Sequence, residues 1–183
     1  ADAYITMGST GAAVTAGVFK LGTLPEIERP ALGGPFLGLV PKTIIIDLGT
    51  SVDNRPSQLM NYAVLGSTFS RVFMGIQEPR VALLSVGVEE GKGNRQVRES
   101  YPLLKQSGLN FIGNIEGVDI PLGKADVIVC DGFVGNILMK FAEGLGMAVV
   151  KHVESEGGVT KNVLVDKLIK SLSNLTNFVE HMG

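Results

Sequence analysis

The sequence predicts an α/β fold: a three-layer sandwich in which a mostly parallel sheet carries helices on its faces. Three observations predict it. Apolar, strand-like runs alternate along the chain with helix-like segments. One run, Ile44-Ile45-Ile46, is continuously apolar, as in a strand covered on both faces of a parallel sheet. The 24 glycines in 183 residues fall mainly at the ends of apolar runs, where tight strand-to-helix turns belong.

The elements follow in order. Tyr4-Ile5-Thr6-Met7 is β-prone and leads through Gly8-Ser9-Thr10-Gly11 into a helical stretch from Ala12 to Leu21. Four of the eight prolines lie between Pro25 and Pro41, which therefore reads as a long connection. Thr43 to Leu48 is a strand ended by Gly49-Thr50-Ser51, and Pro56 sits where a first helical turn accepts proline, opening a helix to about Met74. That helix is apolar on most faces, as expected of one buried in a core or subunit interface. Arg80 to Val86 is the next strand, Glu89 to Asn94 a charged glycine loop, and Gln96 to Gln106 a helix. Asn110 to Ile112 and Ala125 to Cys130 are further strands, and Asp131-Gly132-Phe133-Val134-Gly135-Asn136 turns into a helix reaching about His152. After Gly157-Gly158 a second helical pattern runs to Val179, with Leu164, Leu168, Leu172 and Leu175 in one stripe beside lysines.

Composition narrows the function. Hydrophobic residues make up 45% and charged residues 19%, which excludes a disordered tail or a coiled coil. With 16 basic against 18 acidic residues no nucleic-acid partner is expected. Cys130 stands alone and cannot form an internal disulfide; His152 and His181 are too few for a zinc site, so no metal is expected. No stretch reads as a membrane span of about 18 apolar residues, and no signal peptide is visible. A reduced, cytoplasmic globular protein is the expectation. The chain starts without methionine, directly in strand-like sequence, as a fragment or processed chain does.

In open α/β sheets ligands bind beyond the carboxyl ends of strands, where glycine turns release helix N termini. Gly8–Gly11, Gly49–Ser51 and Asp131–Asn136 are three such junctions. Each offers backbone N–H groups and small polar side chains that suit an anion such as phosphate, though caps and glycine turns are the commoner use of such residues. None matches a P-loop or a GxGxxG fingerprint. Lys92, between Gly91 and Gly93, can approach a ligand closely and neutralise phosphate or a developing oxyanion; a solvated loop has the same pattern. Gly113-Asn114-Ile115-Glu116-Gly117 puts an amide and a carboxylate after a strand. Asp131 either orients a lysine or substrate, or caps its helix. Cys130 is either an acyl-accepting thiol or a small buried apolar residue. A serine triad is not expected, because both histidines lie far from any serine elbow.

These residues together resemble a known family. Asp47-Leu48-Gly49-Thr50-Ser51-Val52-Asp53 followed by Arg55-Pro56 is similar to the DxGxNxD…KP segment of the PlsX family of phosphate acyltransferases. Glu90–Asn94, Phe111–Gly117, Val129–Asn136, Lys140 and Ala142-Glu143-Gly144 continue the match in the family's order, and Gly8-Ser9-Thr10-Gly11-Ala12 is similar to its GNTGA element. Ser9 and Ser51 stand where the family pattern has asparagines. The resemblance covers the middle of the family's chain.

The resemblance implies a fold like isocitrate and isopropylmalate dehydrogenases and related to phosphotransacetylase, formed as one domain fragment over residues 1–183 with a protruding helical segment about 155–179. It implies transfer of a fatty acyl group from acyl carrier protein to inorganic phosphate, without an organic cofactor, in a homodimer. The implied catalytic set is Lys92, Asn114, Asp131 and Asn136. Ser9, Thr10, Gly11, Ser51, Glu116, Gly132, Gly135 and Lys140 are the implied phosphate- or substrate-binding residues. Leu164, Leu168, Ile169 and Leu172 are implied to touch a membrane at its inner face, beside a membrane acyltransferase, or else to pack on the partner subunit. The competing readings are a related subunit that makes acetyl phosphate in an amino-acid reductase, with Cys130 as acyl acceptor, and a non-catalytic module that binds acyl carrier protein or recruits it to the membrane.

Overall fold

The computed structural model describes residues 9–35 and 40–155. Among the described residues five strands form one sheet: β1 (Gly33–Pro35), β2 (Ile44–Ile46), β3 (Val81–Leu84), β4 (Phe111–Ile115) and β5 (Val127–Val129). Their order across the sheet is β1-β2-β5-β3-β4. Only β1 runs antiparallel; the other four are parallel to one another. Four α-helices accompany them: α1 (Thr10–Leu21), α2 (Pro56–Phe73), α3 (Arg95–Lys105) and α4 (Gly132–Ser155).

Alternation along each strand sorts the core into two layers. Ile44, Ile46, Val81, Leu83, Val127 and Val129 face α2 and α3, where Leu59, Tyr62, Ala63, Val97 and Leu104 cover them. Ile45, Ala82, Ile128 and Cys130 face the other way, toward Val134, Leu138 and Met139 of α4. The predicted layering is therefore present. Gly66 lets α2 lie close on the sheet, since a Cβ there would fall 2.6 Å from Val127 Cγ1.

Several expectations change. The Pro25–Pro41 connection contains β1, which pairs with β2 through Gly33 and Gly34; glycine and proline hide a strand from any propensity argument. Asn110–Ile112 extends to Ile115, so Asn114 lies within β4 rather than in a turn after it. Helix α2 is buried on one side only: Val64, Val72 and Phe73 are exposed. Helix α1 buries none of its residues. The expectation that no segment has the apolar length of a membrane span also fails, because Gly132–His152 is long and apolar enough by length and composition. Inspection of single residues missed it because Lys140 and Glu143 interrupt the run; they pair with each other at 3.0 Å. The exposed side of α4 carries Phe133, Ile137, Phe141 and Leu145 at intervals of four residues. Tyr4–Met7, the 155–179 segment beyond Ser155 and the residues Leu164, Leu168, Ile169 and Leu172 lie outside the described residues, as does His181.

Candidate active site

Because β2, β3, β4 and β5 are parallel, their carboxyl ends meet one edge of the sheet. Register keeps those ends level: Ile46 and Leu83 both pair with Val129, and Leu83 also pairs with Asn114. The segments following the four strands carry Gly49–Ser51, Lys92, Glu116 and Asp131–Asn136. A cleft of about 270 Å3 opens there, lined by Ser85, Gly93, Asn94, Gly117, Cys130 and Asp131 above an apolar floor. The segments after β3, β4 and β5 thus share one cavity. That after β2 joins them by contact, since Gly49 lies beside Asn136.

The β2–α2 segment is organised by Asp47, which is wholly buried. Its Oδ1 accepts N–H from Leu32 (3.2 Å), Gly49 (3.1 Å) and Thr50 (3.1 Å), and its Oδ2 accepts the Thr50 hydroxyl at 2.6 Å. The Ser51 hydroxyl lies between Asp47 Oδ2 (2.8 Å) and Asn54 Oδ1 (2.6 Å). Asn54 Nδ2 donates in turn to Tyr62 Oη at 3.0 Å, and burial raises the Tyr62 pKa, which keeps that phenol protonated. Gln96 Nε2 donates to the Asn54 carbonyl at 2.7 Å and ties α3 to the start of α2. Ser51, expected to bind phosphate, is turned inward and engaged in this network.

The start of α4 presses against the same segment. A Cβ on Gly135 would collide with the Asp47 carbonyl, and one on Gly132 with the Ser51 backbone. Both glycines therefore permit a close approach of two backbones. Asp131 Oδ1 accepts the Val134 N–H at 2.9 Å, so of its two readings the helix cap is the one with a bond in place. Lys140 is committed to Glu143. Cys130 Sγ donates to the Asp47 carbonyl at 3.4 Å, and burial pushes its thiol far above the ordinary range. A buried, protonated thiol is a poor acyl acceptor. Asn136 is exposed on the first turn of α4, next to Gly49.

Lys92 is exposed on the turn after β3. The turn closes through the Lys92 N–H to the Glu89 carbonyl at 3.0 Å, and Asn94 caps α3 by accepting the Val97 N–H at 2.9 Å. Asn114 is buried, with its Nδ2 donating to that same Glu89 carbonyl at 2.9 Å. Glu116 gives its backbone N–H to Asp119 Oδ2 at 3.0 Å; Lys124, 2.6 Å from Asp119 Oδ1, helps to hold that carboxyl below its ordinary range. Ser9 caps α1 by accepting the Ala12 N–H at 3.3 Å, with Thr10 and Gly11 as the first helical residues. Gly11 borders a second cleft of about 330 Å3, between α1 and Gly49-Thr50. Gly11 of the first-strand junction thus shares a cleft with Gly49 and Thr50, and not with Ser85 and Asp131; Lys92 itself lines neither cleft.

Two residues to which the sequence assigned no role matter here. Asp47 is the hub of the β2 segment; an acid directly after three isoleucines was its visible signal. Ser85 directly follows β3, borders the first cleft, and carries a buried hydroxyl without a hydrogen-bond partner.

A mostly parallel sheet with helices on both faces and a cleft at its carboxyl edge, rimmed by glycine turns and helix N termini, defines a protein of the open α/β class. The chain belongs to the fatty acid synthesis protein family, the PlsX family, whose family model matches residues 1–182. It is 49% identical over 156 residues to the phosphate acyltransferase of Aquifex aeolicus, covering 85% of this chain and 46% of that protein. The enzyme of the same name from Syntrophomonas wolfei is 48% identical over 164 residues, covering 86% and 50%, and that of Thermodesulfovibrio yellowstonii 41% over 188 residues, covering 100% and 54%. The chain spans about half the length of the curated relatives it matches.

Proposed function

We propose that the full-length polypeptide containing this chain transfers a fatty acyl group from acyl carrier protein to inorganic phosphate. An orthophosphate oxygen attacks the thioester carbonyl, a C–O bond forms, the C–S bond breaks, and the carrier thiol leaves with a proton. The products are acyl phosphate and free carrier. Phosphate is a competent nucleophile at neutral pH, so the protein's task is placement and charge, worth several kcal/mol of barrier. Lys92 supplies positive charge, Asn136 and the glycine-turn amides orient phosphate or the oxyanion, and Asp131 fixes the α4 N terminus that borders the cleft. No organic cofactor enters this scheme.

One observation carries the reading. The motifs after β2, β3, β4 and β5 that match phosphate acyltransferases lie at the carboxyl end of one sheet, in a chain 49% identical over 156 residues to one of them. The partners proposed are acyl carrier protein, phosphate, a second copy of the polypeptide, and a membrane acyltransferase, with the enzyme cytoplasmic and peripheral at the membrane's inner face. The residue 155–179 segment is proposed as a protruding part of one domain that meets either the lipid or the partner. The exposed apolar ridge on α4 supports an assembly larger than this chain alone.

The test is direct. Full-length protein, acyl-[acyl carrier protein] and orthophosphate should yield acyl phosphate, detected as its hydroxamate. Turnover should survive thiol alkylation, because Cys130 is buried and bears no acyl group. Loss of turnover in a folded Cys130→Ala variant would restore the acyl-thiol route; no acyl phosphate at all would refute the transferase.

A further inference from the structure

Asn114 stands in the sequence as a residue that contacts substrate, yet its geometry is that of a support. It lies within β4, buried beneath the turn that follows β3, whereas Lys92 is exposed on that turn next to Gly93 and Asn94, which line the cleft. Its Nδ2 donates to the Glu89 carbonyl at 2.9 Å. The same oxygen accepts the Lys92 N–H at 3.0 Å. Two donors thus converge on one carbonyl, one from the sheet and one from Lys92 itself. The remaining amide atom, Oδ1, is buried and has no hydrogen-bond partner.

The rest of the turn leaves Lys92 little choice of path. A Cβ on Gly87 would fall 2.9 Å from Lys92 Cγ, which places the lysine stem directly over Gly87. Gly93 has a φ of +102° and would bring a Cβ within 2.6 Å of Val97 Cγ1, so the exit from the turn is set by the seating of α3. Glycines make the turn tight, but they cannot anchor it to the sheet. Among the described residues, Asn114 is the buried side chain bonded to the backbone of this turn.

We propose that Asn114 is a positioning residue that sets the place of Lys92 through the Glu89 carbonyl, and does not itself touch phosphate or the oxyanion. The proposal rests on the transferase reading of the same site. If it holds, Asn114 has nothing to contribute once Lys92 is gone.

A double-mutant cycle in the full-length protein tests it, read as phosphate-dependent loss of acyl-carrier thioester. Lys92→Ala should lower turnover by about 100-fold, the scale of a lost preorganised oxyanion contact. Asn114→Ala should lower it by roughly 10-fold, as expected for one hydrogen bond. The two losses should fall in the same kinetic parameter, kcat or KM for phosphate. The double variant should match Lys92→Ala within about twofold. Losses that multiply, to about 1,000-fold, would overturn the proposal and make Asn114 an independent substrate contact while leaving the transferase standing. Unchanged turnover in Lys92→Ala would remove Lys92 from the mechanism, and the positioning role with it. Should Asn114→Ala fail to fold, Asn114→Asp keeps the volume, sets a carboxylate oxygen against the Glu89 carbonyl, and must show the same non-additivity.

Discussion

The segment after β2 and the turn after β3 look alike as sequence: each is a glycine-bearing run of polar residues that ends a strand and opens a helix. Their physical organisation is opposite. After β2 Asp47, Ser51 and Asn54 turn inward, and Asp47 alone gathers bonds from Leu32, Gly49, Thr50 and Ser51. After β3 Lys92 turns outward and reaches solvent from a turn anchored to the sheet through one buried amide. The first arrangement stabilises a scaffold, because buried polar groups are worth their desolvation only when satisfied. The second presents a charge. Similar composition therefore serves rigidity in one place and chemistry in the other.

The contrast breaks most visibly at the scaffold. Asp47→Ala strands several buried donors at once and should destabilise the fold by about 3–5 kcal/mol, measured by urea denaturation. A midpoint within 1 kcal/mol of the parent, on the order of a surface substitution, would mean that the network is not structural. At the presenting turn the signs reverse. Lys92→Ala should cost about 100-fold in turnover, with stability changed by no more than about 0.5 kcal/mol. A variant that melts early while retaining activity would erase the distinction.

A smaller effect sharpens the role of the opposite sheet edge. Burial pushes the Asp126 carboxyl up, but its bonds to Arg80, including one of 2.9 Å, outweigh this and leave it below the ordinary range. A folded-state pKa below the unfolded value means stability that is present above about pH 3.9 and lost as pH falls further. Asp126→Asn should therefore flatten the acid limb of the stability–pH curve without altering turnover at neutral pH. An unchanged acid limb would show that the pair does not contribute.

Much of this architecture was legible in the chain. Ile44-Ile45-Ile46 announced a strand covered on both faces, and Pro56 marked the start of α2 to the residue. The Gly-Gly-Pro strand β1 was not legible, because it exists through pairing with β2 and not through its own propensity. Nor could the sequence separate a cap from a ligand-binding group. Asp131 and Ser51 offer oxygens that satisfy either role, and the choice depends on which donors the fold brings near: the Val134 amide for one, the Asp47–Asn54 pair for the other.

By itself the sequence determined the succession of the four parallel strands and their helices, the parallel class of sheet, and the motifs that place the chain in its family, because period, turn chemistry and ordered spacing are local properties. Tertiary structure alone decided which polar side chains face inward, why Gly132 and Gly135 admit no side chain, and that Asn114 reaches Lys92 through a carbonyl 25 residues away. Those outcomes depend on distances between segments remote in the chain, which are set only when the strands align and the helices close upon them.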